Sequence, residues 1–81
     1  MRLDKFLKVS RLIKRRTVAN TVSEMGRVLV NGNQAKPAKQ LKVGDIIEIE
    51  YSNRVEKVEV LIIPTGNVSV QDADKLYRIL E

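Results

Sequence analysis

The chain has 81 residues, 15 Lys/Arg against 10 Asp/Glu, no cysteine and no histidine. That length allows one small domain with a thin core, and the missing residue types exclude disulfide staples, thiolate or imidazole metal sites and histidine acid–base chemistry. Residues 1–42 carry eleven Lys/Arg against Asp4 and Glu24, a balance of +9, whereas residues 43–81 carry four against eight acids, a balance of −4; the first half is therefore expected to meet a polyanion.

No apolar run approaches the roughly 20 residues of a membrane span, and the opening MRLDKFLKV is too charged for a signal peptide. The expectation is a soluble, cytoplasmic protein with no membrane partner. Leu3, Phe6, Leu7 and Ile13 recur at helical spacing, which predicts a first helix over residues 3–12 with Asp4 in its first turn. Val18, Ala19, Val22 and Met25 predict a second helix over 15–25, with Thr17 as a candidate cap and Gly26 as its left-handed stop. A link of two or three residues would make the two a tight helical hairpin.

The period then changes. Arg27-Val28-Leu29-Val30 is β-branched and short, and Asn31-Gly32 is a strong two-residue hairpin signal. Pro37 places its surroundings at an edge or in a loop. Val43-Gly44-Asp45 is a turn, Ile46 to Glu50 alternates as a strand, and Val55, Val58, Val60 and Ile62 form its partner across the Ser52-Asn53 turn. Ala73, Leu76, Tyr77 and Leu80 suggest a C-terminal helix starting near Ser69. The fold class is α+β: two helices, a small antiparallel sheet, a final helix, all in one domain.

The segment KVSRLIKRRT, residues 8–17, holds five cations and no acid. Were residues 8–15 helical, Lys8–Arg11, Arg11–Lys14 and Arg11–Arg15 would be like-charge neighbours costing on the order of 1 kcal/mol together. A solubilising face normally mixes signs, and arginine suits bidentate phosphate contact. A basic run is also often just a solvated face, but here apolar residues interleave with the cations.

RLDKFL at 2–7, SRLIKRRTVA at 10–19, GRVLVNG at 26–32 and VGD at 43–45 resemble, in order and spacing, the RNA-binding domain of the ribosomal protein S4 type. The resemblance covers about residues 1–50. It implies the αL arrangement, in which a two-helix hairpin and the following β-loop form one RNA-docking face. The stand-alone members that the chain looks like are the short bacterial ribosome quality-control type and, as the alternative, the heat-shock protein fifteen type. The resemblance to the former implies a non-catalytic factor without cofactor or metal, bound to ribosomal RNA of the large subunit and to peptidyl-tRNA. It implies a role on stalled large subunits, beside a tailing factor that extends the nascent chain without a template. The expected protein is ribosome-associated and monomeric.

Arg2, Lys8, Arg11, Lys14, Arg15 and Arg16 are the expected phosphate contacts, with Arg16 foremost because Arg16-Thr17 matches the family's R-[ST] step. Arg2 and Arg16 each have a structural alternative as partners of Asp4. Thr17 either donates to phosphate or caps its helix. Asn20 either reaches RNA or sits on an ordinary polar face. Arg27, Asn31 and Lys36 would extend the docking face along the hairpin. Lys39 and Lys42 act through the long-range field, and Tyr51 and Tyr77 either stack on bases or pack internally. An enzyme is disfavoured because Asp4 and Glu24, the only acids of the basic half, show no pairing. A peptide-binding adaptor using the acidic strands is the remaining competitor.

Overall fold

A computed structural model describes residues 1–80. Helix α1 spans Leu3–Val9 and α2 Arg16–Glu24; strands β1 (Val28–Val30), β2 (Asn33–Gln34), β3 (Ile46–Glu50), β4 (Val55–Val60) and β5 (Tyr77–Leu80) follow, with a 3-10 helix at Val70–Leu76 before β5. The strands form one sheet in the order β2-β1-β3-β4-β5, antiparallel at every pairing. The architecture is α+β, as the alternation of periods predicts.

Strand alternation sorts the sheet into two faces. Val28 and Val30 of β1, Ile47 and Ile49 of β3, and Val58 and Val60 of β4 are buried on one face. The same core takes Leu3, Phe6 and Leu7 of α1, all fully buried, and Ala19 of α2. The opposite face holds Glu48 beside Lys57 and Glu59 beside Arg78, both cross-strand ion pairs. Segment 37–41 fastens the amino end of α1. The Leu3 and Asp4 N–H groups donate to the carbonyls of Lys39 (2.8 Å) and Pro37 (3.1 Å), so the donors that a helix start leaves free are met.

Gly26 and Asn31-Gly32 take the turn conformations that their residue types predict. After the helix-ending residue Met25, Gly26 takes φ +76°. Its N–H donates to the Ser23 carbonyl and that of Arg27 to the Val22 carbonyl, both at 3.0 Å, which is a Schellman closure. Asn31 (φ 53°) and Gly32 (φ 86°) both lie in the left-handed region and close the two-residue β1–β2 hairpin, Val30 facing Asn33.

Four expectations need correction. Helix α1 stops at Val9, because Arg11 turns left-handed (φ 63°) and the buried Ser10 hydroxyl donates back to the Leu7 carbonyl at 3.2 Å. The link to α2 is thus residues 10–15, and the like-charge helical pairs expected across 8–15 do not form. Thr17 does not cap α2; Arg15 occupies that position and no side chain caps it. In α2 the buried residues are Ala19 and Ser23, while Val18 and the capping Met25 that follows the helix stand 45% and 58% exposed. Finally, the C-terminal helix ends at Leu76, and Tyr77–Leu80 is a fifth strand. Backbone pairing with β4, Tyr77 opposite Val60 and Arg78 opposite Glu59, overrides the helical spacing of residues 73–80.

Candidate nucleic-acid interface

Helix α1 carries Asp4 one residue past its buried Leu3, which sinks the carboxylate to 3% side-chain exposure against α2. Two guanidinium forks close on it. Arg2 approaches through Nε at 3.2 Å and Nη2 at 3.3 Å, and Arg16, the first residue of α2, through Nε at 3.4 Å and Nη2 at 3.5 Å. The Lys5 N–H adds a 2.8 Å bond. Burial alone would push the Asp4 carboxyl up, but hydrogen bonding and charge from Arg16, with help from the Asn20 amide and the Lys5 N–H, hold it below the usual aspartate value. The pairings considered as alternatives for Arg2 and Arg16 therefore occur together.

This clasp does not use up the cations. Two arginines share one acid, leaving a net +1, and their side chains remain 45% and 47% exposed. Each guanidinium has five N–H donors, so several remain free for an incoming oxyanion. The uncapped start of α2 adds further donors. The Ala19 N–H closes the first helical bond on the Arg15 carbonyl, whereas the N–H groups ahead of it lack a side-chain acceptor. Thr17, Asn20 and Thr21 line the shallow groove running from Asp4 and Arg16 along α2. Positive charge, forked donors and an uncapped helix start each favour an oxyanion, and all three converge here.

The other expected contact residues are distributed around this centre. Lys14 and Arg15 are exposed in the link and form no ion pair among the described residues. Lys8 and Arg11 line a separate groove with Asn67 and Val68. Arg27 lies past the α2 stop, beside Tyr51. Lys36 is 3.7 Å from Glu24, with both side chains mostly in water, so that pair does little to hold it. It lines a groove with Asn31, Asn33 and Lys39 along the β1–β2 hairpin.

Asn31 has a structural occupation. Its amide donates to Asp45 Oδ1 at 3.1 Å, its carbonyl oxygen accepts from the Ile46 N–H at 2.9 Å, and its own N–H donates to the Ile46 carbonyl at 2.8 Å. The Lys42 N–H donates to the other Asp45 oxygen at 2.8 Å. Asn31-Gly32 and Val43-Gly44-Asp45 are thus locked together, and the lock sets the hairpin's position. The role of Asp45 was missed in the sequence, although its place in the VGD turn was the available sign.

Residues 1–47 match the S4 domain family model. The chain is 49% identical over 80 residues to a Streptococcus pneumoniae protein named RQC P-site tRNA stabilizing factor, covering 99% of this chain and 90% of that one. It is 44% identical to the Bacillus subtilis protein of the same name over 81 residues, covering 100% and 93%. A trimeric structure of Vibrio cholerae heat shock protein 15 superposes with a TM-score of 0.89 at 31% identity, covering 99% of this chain and 81% of that one. The chain belongs to the S4 domain family and, within it, to the family of the proteins named RQC P-site tRNA stabilizing factor.

Proposed function

We propose that the protein is a non-catalytic, ribosome-associated RNA-binding factor of the cytoplasm. It grips ribosomal RNA of the large subunit and a peptidyl-tRNA on stalled subunits, and steadies the tRNA while a separate factor tails the nascent chain without a template. The observation that carries this reading is the Asp4 clasp, which holds two half-exposed guanidinium groups side by side at the open start of α2. The relatives' name supplies the tRNA and its site. Arg2, Arg16 and Thr17 contact phosphate at the centre. Lys8, Arg11, Lys14 and Arg15 contribute along the link, Asn20 along the α2 groove, and Arg27 and Lys36 on the hairpin side. Asn31 acts by positioning the hairpin. The protein acts as a monomer and needs no cofactor.

Co-sedimentation with purified large subunits carrying peptidyl-tRNA tests this. With about 4–6 phosphates contacted, log affinity should fall against log salt with a slope of roughly −3 to −5. The double variant R15A/R16A should lose sedimentation while keeping its circular dichroism spectrum. Retained binding at moderate salt would show that another surface docks. Adding the protein to a reconstituted tailing reaction should increase tail length; an effect on subunit recycling alone would favour the heat-shock type role.

A further inference from the structure

A second cationic site lies at the far end of α2 from its Arg16 start. The Tyr51 N–H donates to the Arg54 carbonyl at 2.8 Å, closing the turn between β3 and β4. That turn brings the Arg54 guanidinium carbon over the half-buried Tyr51 ring, 4.7 Å from its centroid. On the neighbouring strand the Arg27 carbonyl accepts from the Glu50 N–H at 2.8 Å, which sets the start of β1 beside the end of β3. Between them opens a groove of about 540 Å³ lined by Met25, Arg27, Gln34, Glu50, Tyr51 and Ser52.

The chemistry of the groove is mixed in a specific way. Neither Arg27 nor Arg54 has a carboxylate within ion-pair distance among the described residues. Arg54 is exposed, with its guanidinium carbon held near the Tyr51 ring face by a cation–π contact, and a guanidinium is itself planar. Glu50 is an exposed acceptor and Ser52 an exposed hydroxyl. A site for phosphate alone has no use for a carboxylate. A base presenting N–H donors does, and unpaired bases stack on arginine planes and aromatic rings while their edges are hydrogen-bonded.

We propose that this groove holds one unpaired nucleotide of the RNA partner, its phosphate on Arg27, its edge on Glu50, and its base reaching over the rim to stack on Arg54, which adjoins the groove through Tyr51. The inference rests on the RNA-binding reading above and deepens it, because it gives the molecule a second grip separate from the Asp4 clasp. A guanine fits best, since its adjacent N1–H and N2–H groups match a carboxylate.

Two measurements test it on the full chain. In an NMR titration, guanosine 5′-monophosphate at millimolar concentration should shift the amides of Ser52, Asn53 and Arg54, whereas inorganic phosphate should leave them unmoved. R54A should abolish those shifts. Equal shifts with phosphate, or shifts that survive R54A, would overturn the proposal. On large subunits, R54A and R54K should both weaken binding about tenfold, because lysine keeps the charge but lacks the plane. If R54K binds like the unsubstituted protein, stacking is refuted. Should both Arg54 variants bind normally while R15A/R16A fails, the nucleotide groove alone is wrong; if R15A/R16A also binds, the RNA reading itself falls.

Discussion

Replacing Asp4 with Asn tests the central clasp, since it keeps the shape and deletes the charge. The carboxylate is 3% exposed, and breaking a fully buried pair costs about 3–5 kcal/mol. Both arginines keep nearly half their side-chain surface in water, so each pairing lies nearer the surface value of about 1 kcal/mol. Two such pairings give a loss of about 2 kcal/mol, a large share of the ~5 kcal/mol at the low end for a domain. For a domain of this size that lowers Tm by about 8–16 °C. The pH dependence supplies the sharper check. The folded carboxyl titrates below the ordinary aspartate value of about 3.9. Its contribution is therefore complete above that value and is lost as pH falls through the lower, folded one. Thermal melts followed by circular dichroism should show a constant gap between D4N and the unsubstituted protein from pH 5 to 7, closing as the acid is titrated. A gap that persists unchanged at the lowest pH where both still melt would refute the ionic origin of the clasp.

Other substitutions probe the frame around it. N31A removes both side-chain bonds that tie the hairpin to the VGD turn and forces alanine to φ 53°; a loss of about 2 kcal/mol in urea unfolding is expected, with Asp45 left short of a partner. G26A should cost at least 1 kcal/mol, because a Cβ there would lie 2.7 Å from Gln34 Nε2 on a backbone at φ +76°; a neutral result in the same assay would mean that the α2 stop relaxes freely. D4N should also weaken binding to large subunits, although it raises the net charge by one, whereas a surface acting only through its charge would bind more tightly.

The parts of the fold that were legible in the sequence are those fixed by residues close to one another along the chain. Gly26 and Asn31-Gly32 impose backbone angles on their own account, and in β3 Ile47 and Ile49 alternate with Glu48 and Glu50. The parts that escaped depend on distant partners. Nothing in the residues around Arg11 signals a left-handed arginine, because that turn is held by Ser10 packing under α1 and by the Ile13 N–H reaching the Leu7 carbonyl at 3.1 Å. Tyr77-Arg78-Ile79-Leu80 fits a helix or a strand by composition, and only the open edge of β4 decides between them. At the candidate interface the sequence offered Asp4 as a partner for Arg2 or Arg16 and contained no means of seeing that it takes both. Its nearness to Arg16 arises from the packing of α1 on α2, which brings residues 4 and 16 together across the turn.

A buried acid at the centre of a basic surface is unfavourable by charge counting, since it cancels one of the cations an RNA would meet. On the RNA-binding reading proposed above, the geometry gives it a use. A free arginine side chain loses on the order of 2 kcal/mol of rotamer freedom when fixed on a phosphate. Arg2 and Arg16 have surrendered much of that freedom during folding, with Asp4 as the anchor, so less is lost on docking. The one cancelled charge weakens the long-range attraction that brings RNA near, but nine surplus cations in residues 1–42 leave that attraction ample. In the proposed complex, Lys39 and Lys42 add to the field, Lys8 and the link cations Lys14 and Arg15 line the approach, and the two anchored guanidiniums supply the fit.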